Sequence, residues 1–449
     1  MLRQDWHGQP GLNEVRFAGA APMSDKSTPF TPHSHVRFNA AVNVLDGAFF
    51  GAALGFASFI TVIPLFVSQL TESAILIGLI PAIHAVGWQL PQILTANRVQ
   101  RLRRYKPMVL AMTVHERLPF FGLALVAWFL PALERRTALI LVFALLIWQG
   151  LGGGYTAMVW QSMIRKIIPA SWRGGFLGGQ SSAANLLASG AAVAAGQILD
   201  RLDSPIDFTL CFLVAGVALL CSFGFLASTR EPEHAPVIPA GGQPRIRQEM
   251  RRILTSDLRF RRFLAVRLIY QFGLVAFSYY AVYTVGELGA SAGLAGWLTG
   301  VLIFSEVIAN PLLGFLGDRK SHQLVLLLGT LAALTSSLLA GWLTSISLWF
   351  VIFALAGVAF VGGWVTTMVI SLEFGTPADQ STYLGMSNTL IAPATLAAPF
   401  LAGWCITAFG YQAMFRAAAV VFLAAALLCL NLLRTQPAFS ATAATTDLC

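Results

Sequence analysis

The sequence predicts an all-α polytopic membrane protein, with twelve transmembrane helices in two pseudo-symmetric six-helix bundles. Three observations carry that prediction. Of the 449 residues, 56% are apolar and 11% charged, against about 25% charged in a soluble domain. The apolar runs are long and nearly free of charge, and they match the ~20 residues needed to cross a bilayer. Short patterns in the first half of the chain recur in the second half at a nearly constant spacing.

Residues 1–38 are polar and contain Pro and Gly. They read as a disordered cytoplasmic tail without the apolar core of a secretory signal, and Met23 offers a second start site. An N-terminal bundle over 39–228 follows, with spans at 40–66, 74–94, 107–130, 137–164, 174–199 and 206–228. A linker at 229–262 opens with the flexible REPEHAPVIPAGGQP. It continues as IRQEMRRILTSDLRF, which sets Ile246, Met250, Ile253, Leu254 and Leu258 on one helical face and arginines opposite. Such a helix can lie in the inner headgroup layer or dock on the loops, and the sequence leaves both readings open. The C-terminal bundle covers 263–433, with spans at 263–285, 292–316, 323–344, 348–372, 383–409 and 412–433, and 434–449 form a cytoplasmic tail. Joins as short as 410–411 force neighbouring helices to run antiparallel.

Charge placement sets the orientation. With both termini inside, 23 of the 29 Lys and Arg residues fall in inside segments, and only Arg135, Arg136 and Arg201 fall outside. The bias predicts cytoplasmic termini in an inner or plasma membrane. It accounts for the net charge of +9 without nucleic acid as a partner. Cys211, Cys221, Cys405, Cys429 and Cys449 show no CxxC or metal-ligand spacing and read as packing residues. No metal, cofactor, nucleotide or hydrolytic motif is evident, so an enzyme is not expected.

The repeat joins Ser73-Ala74-x-Leu76-x-Gly78 to Ser291-Ala292-x-Leu294-x-Gly296, 218 residues apart. The same offset sets Gln100-Arg101 on Asp318-Arg319. Pro169-Ala170…Phe176-Leu177-Gly178 echoes Pro377-Ala378…Tyr383-Leu384-Gly385 at nearly that spacing. Three matches in order indicate a duplicated six-helix unit.

Gly314-Phe-Leu-Gly-Asp318-Arg319-Lys320 resembles the G-x-L-x-D-R/K loop between the eighth and ninth helices of the major facilitator superfamily. The first half departs from that pattern: Ala96-Asn-Arg98-Val-Gln100-Arg101 keeps the basic residues and loses the glycine and aspartate. Pro169…Trp172-Arg173-Gly174 is similar to the family's P-x-x-x-R-G junction. The resemblance in layout spans residues 37–434. It implies two bundles rocking about a central cavity. The first, fourth, seventh and tenth helices would line the cavity, the second, fifth, eighth and eleventh would form the seam, and the rest would support from outside. Arg98, Arg101, Arg173, Gly314, Asp318 and Arg319 are then candidates for a cytoplasmic gate. Exposed charge pairs of at most about 1 kcal/mol each suit a reversible latch; the other reading is that they anchor helix ends.

Ionisable groups at bilayer depth cost ~2.5–3.5 kcal/mol even on insertion scales, so each needs a reason. Glu306 lies in the eighth span, roughly 15 Å from the inner surface, as a proton carrier or as the partner of an arginine such as Arg267. Asp46 is a second proton-coupling candidate, with an interfacial charge reaching water as the plainer reading. Trp88, Gln89, Gln149, Arg267, Tyr270, Gln271, Tyr279, Asn310 and Trp364 are candidates to line a cavity for a small organic solute. Adjacent Glu116 and Arg117 lie about 14 Å into the third span. They read as a structural clasp, each pairing with a neighbouring helix, in preference to a proton relay. The expected function is a secondary transporter working as a monomer in the lipid bilayer, with protons as the coupling ion. The rival is a non-transporting sensor or scaffold of the same fold.

Overall fold

The computed structural model describes residues 35–99, 102–233, 246–375 and 380–434. The stretches 1–34 and 435–449 and the middle of the linker lie outside these residues. Among the described residues, twelve helices are long and apolar enough to cross a membrane. The first span is α1 (Val36–Phe56) continued by α2 (Val62–Leu70). The other five of its bundle are α3 (Ala74–Val99), α4 (Lys106–Trp128), α5 (Arg135–Ile167), α6 (Ala170–Arg201) and α7 (Ile206–Ala227). After α8 (Ile246–Ser256) in the linker, the seventh span is α9 (Leu258–Leu274) with α10 (Tyr280–Gly286). Then come α11 (Ala292–Arg319), α12 (His322–Ala340), α13 (Ile346–Phe360) with α14 (Thr366–Leu372), α15 (Gln380–Phe409) and α16 (Tyr411–Arg434). Because the spans alternate in direction, Val36, the linker and Arg434 share one end of the molecule, the terminal face.

The repeated S-A-x-L-x-G pattern has a physical explanation. Each serine caps a helix: the Ser73 hydroxyl accepts from the Leu76 N–H at 3.4 Å and the Ser291 hydroxyl from the Leu294 N–H at 3.2 Å. Each glycine then lets that helix touch the opposite bundle. A methyl group at Gly78 would fall 2.2 Å from the Tyr279 hydroxyl, and one at Gly296 would fall 2.6 Å from the Gly196 Cα. The motif therefore encodes the start of a seam helix and its closest approach to the other half.

The first span of each bundle, expected unbroken, is interrupted at equivalent positions. α1 stops at Phe56, and α9 gives way to a 3₁₀ turn over Val275–Tyr279. The breaks begin at Ala57 and Val275, 218 residues apart. Phe59 and Phe277 occupy matching sites and wedge into their own bundles, Phe59 stacking on His84 at 4.1 Å and Phe277 on Phe422 at 5.9 Å. Each break delivers a hydroxyl across the seam. Thr61 bonds Thr299, and Tyr279 donates to the Ala74 carbonyl at 2.8 Å.

The linker is more tightly held than its composition suggests. Asn39 and the Arg230 backbone exchange two hydrogen bonds, both 2.9 Å. The Glu231 carboxylate accepts from the Tyr105 and Lys106 N–H groups at 2.8 and 2.7 Å and pairs with Lys166 at 2.8 Å, leaving its side chain 1% exposed. A carboxylate at a helix N-terminus satisfies donors that have no intrahelical partner and complements the dipole. Further on, α8 docks on the C-terminal bundle, with Ile253 buried beside Phe260, Ile370 and Tyr383.

The seam is closed at one end only. Away from the terminal face, Gly196 and Gly296 bring α6 and α11 into backbone contact, and Gly403 on α15 packs against Ile75 at the start of α3. Moving toward the terminal face along α6, Ser189 reaches the Gly300 carbonyl and Asn185 reaches Glu306. Beyond that, a methyl group at Gly178 or Gly179 on α6, Gly314 on α11 or Gly385 on α15 would meet nothing within 4 Å among the described residues. The bundles diverge toward the terminal face.

Candidate functional site

The ionisable groups of the N-terminal bundle converge. Asp46 sits ten residues into α1 and Glu116 ten residues into α4, so both lie about 15 Å from the terminal face. The Arg117 guanidinium donates to Asp46 Oδ1 at 3.3 Å, to the Ser222 hydroxyl of α7 at 2.8 Å and to the Leu219 carbonyl at 3.2 Å. Ser222 in turn donates to Asp46 at 2.6 Å. Glu116 is held more loosely: Thr113 donates to its Oε2 at 3.5 Å, and Arg117 Nη1 lies 3.8 Å away. All three ionisable side chains are buried. Asp46 and Arg117 form a hydrogen-bonded pair across α1, α4 and α7, while Glu116 adds a second carboxylate with no second cation.

Glycines on α5 make this placement possible. A methyl group at Gly152 would lie 2.6 Å from the Glu116 backbone nitrogen, and one at Gly153 would lie 2.9 Å from Glu116 Oε1. Bare backbone lets α4 approach until its carboxylate rests against α5. The family layout puts this third span outside the cavity. Instead Glu116 and Arg117 face a cavity of about 270 Å³, with Asp46, Phe50, Trp88, Thr113, Trp160, Gln161 and Gln180 also in its wall.

The other expected residues are spread more widely. Trp88 lines this cavity and packs on Trp364 of the opposite bundle at 6.0 Å, a contact aimed by a π-helical turn over Val361–Val365. Such turns recur at functional sites. Gln149 bonds the half-buried His84 at 2.9 Å, and Gln89 is buried with its amide oxygen unpaired among the described residues. Tyr270 and Tyr279, expected at the cavity, are consumed in packing: Tyr270 donates to the Ala359 carbonyl at 2.9 Å, and Tyr279 belongs to the closed end of the seam. Gln271 is partly buried on α9, and the Asn310 amide turns back to the Glu306 carbonyl at 2.9 Å.

Glu306 and Arg267 do not pair. Asn185 donates to Glu306 across the seam at 3.1 Å, whereas Arg267 donates to Ser387 at 2.6 Å and reaches Asn388 at 3.4 Å. The two lie on different helices facing different neighbours, α6 for one and α15 for the other. At the terminal face, Arg173 donates to the Ile168 and Arg165 carbonyls and closes the end of α5. Asp318 faces His322 at 3.6 Å, and Arg319 lies over the Phe315 ring at 4.2 Å. These contacts all stay within one bundle, as the splayed terminal ends require. Arg101 and the Arg98 side chain lie outside the described residues.

Sequence reasoning passed over Phe50, Thr113, Trp160, Gln161, Gln180 and Ser222. A signal was present: Gly153, Thr156, Ala157 and Trp160 recur at the i, i+3, i+4, i+7 spacing of one helical face. In a chain this apolar, that spacing does not say whether the face meets lipid, protein or a gap.

Comparison with known proteins agrees with the architecture. Residues 264–447 match the family model of the Major Facilitator Superfamily. No curated protein sequence matches the chain. Among solved structures, the chain is similar to the nucleoside transporter NupG, with 12% identity, a TM-score of 0.69 and coverage of 88% of this chain and 99% of that one. It is also similar to a D-xylose-proton symporter, with 17% identity, a TM-score of 0.64 and coverage of 88% and 97%. A bacterial homolog of the human lysosomal transporter Spinster, in an inward-facing and unoccupied conformation, aligns with 15% identity, a TM-score of 0.64 and coverage of 90% and 98%. Identities this low speak for the fold alone. The family model is thus matched in the second bundle alone, over residues 264–447, while the fold of these transporters is matched along both bundles.

Proposed function

We propose that the protein is a secondary transporter that carries a small organic solute by alternating access, with protons as the coupling ion. The observation that carries this reading is the half-closed seam. Glycine-mediated contact shuts one end, and a cavity with buried ionisable groups lies in the N-terminal bundle on the side toward the other. A rigid scaffold has no use for a cavity of buried charge, since each such group is costly unless a function retains it. The match of residues 264–447 to the Major Facilitator Superfamily model and the shared fold support the same reading. The solute site is the N-terminal cavity at Asp46, Glu116 and Trp88, with Trp364 of the opposite bundle packed on Trp88. Glu306, which contacts α6 across the seam, is placed to couple protonation to the separation of the bundles. The basic bias of the terminal face supports cytoplasmic termini.

Proteoliposomes under an imposed pH gradient test the proposal. Solute-dependent proton flux is expected in the wild type and is altered by Glu306→Gln. A broad solute panel that moves under no gradient would favour the sensor or scaffold reading.

A further inference from the structure

Among the described residues, the N-terminal cavity holds one acidic side chain more than it holds basic ones. Its ionisable lining residues are Asp46 from α1 and Glu116 and Arg117 from α4; α3, α5, α6 and α7 contribute only uncharged side chains. The guanidinium is shared: its Nε and Nη2 are used by Leu219, Asp46 and Ser222, and only Nη1, 3.8 Å from Oε2, reaches Glu116. Glu116 retains Oε1, which looks across bare Gly153 toward Trp88: a methyl group at Gly153 would lie 2.9 Å from that oxygen and 3.5 Å from Trp88 Cδ1. Two buried carboxylates that share one cation leave a charge that demands either a proton or a cationic guest. The walls include the rings of Phe50, over which the Arg117 guanidinium lies at 5.6 Å, and of Trp88 and Trp160, beside polar Thr156, Gln161 and Gln180; aromatic faces attract an ammonium.

From these observations we propose the solute class, building on the transport reading above: a small organic monoamine whose ammonium takes Glu116 as its counter-ion between the Trp88 and Trp160 rings. A proton and the ammonium alternate on the same carboxylate. When the cation binds, the Glu116 O–H bond breaks and the proton leaves to water, so the charge of the occupied site is the same in both states. An anionic solute is excluded because it would face two carboxylates and a guanidinium already engaged.

The test is direct binding to the full chain in detergent, read by calorimetry and tryptophan fluorescence. The probes share a shape and differ in charge: benzylamine, benzyl alcohol and benzoate. Saturable binding of benzylamine alone is expected, weakening as the pH becomes acidic. Glu116→Gln should weaken it by about tenfold or more, in line with the loss of a desolvated charge partner, while Glu287→Gln at an exposed site should not. Should Glu116→Gln fail to fold, Gly153→Ala, which crowds Oε1, is expected to weaken amine binding alone. Benzoate or benzyl alcohol binding as tightly as benzylamine, unchanged amine binding by Glu116→Gln, or no saturable amine binding overturns the assignment. Amine binding without flux in proteoliposomes would leave this assignment standing and retire the transport reading; benzoate flux without amine binding would do the reverse.

Discussion

Arg117 stands between two carboxylates, and its removal tests what holds the cluster. In Arg117→Met, Asp46 and Glu116 would remain buried with no cation, a loss of about 3–5 kcal/mol by analogy with broken buried pairs. A lowered melting temperature in detergent is expected. The loss should be larger at alkaline than at acidic pH, because protonation removes the uncompensated charge. Adding Asp46→Asn to Arg117→Met should restore part of the stability; no recovery would mean that the guanidinium serves the fold through packing alone. The sequence made these residues conspicuous, since any charge inside an apolar run stands out. It did not bring Asp46, Ser222 and Arg117 together, because they lie 71 to 176 residues from one another.

Among the connecting elements, the start of the linker is the sharpest contrast between composition and structure. REPEHAP reads as loop, yet Glu231 caps α4 and pairs with Lys166, while Glu233 two residues later pairs with Arg104 in the open. Glu231→Ala should therefore lower stability by about 1.5–3 kcal/mol, the range for a charged hydrogen-bond partner. Glu233→Ala should cost about 0–1 kcal/mol, as exposed pairs do. Paired melting curves separate the two, and equal shifts would contradict the burial difference between them. The helices themselves were legible in the sequence, including the amphipathic face of α8. The breaks after Phe56 and Leu274 were not, because neither ASFIT nor VAFSY contains proline or glycine. They accompany tertiary contacts, Phe59 and Phe277 packing within their own bundles and Thr61 and Tyr279 bonding across the seam.

For the whole molecule, rocking requires that opening one end close the other. Gly296→Val would drive a branched side chain into Gly196, where even a single methyl group lies 2.6 Å from backbone. It should hold the closed end of the seam apart. A cysteine introduced as Thr61→Cys should then become accessible to a water-soluble maleimide. Spin labels at Gly178 and Gly314, on the splayed ends of α6 and α11, should move closer together in the same background. Labels that stay at the wild-type separation would show that the two ends move independently.

By itself the sequence determined the twelve spans, their division into two related halves and the basic bias of one face. Hydrocarbon thickness, the helical repeat and charge counting act along the chain, residue by residue. Tertiary structure decided which charges meet. Glu116 reaches the cavity because glycines of α5 let α4 approach, and Glu306 finds Asn185 in place of Arg267 because the seam runs between α6 and α11. Partnerships across helices depend on rotation and distance between rods, and a linear pattern carries neither.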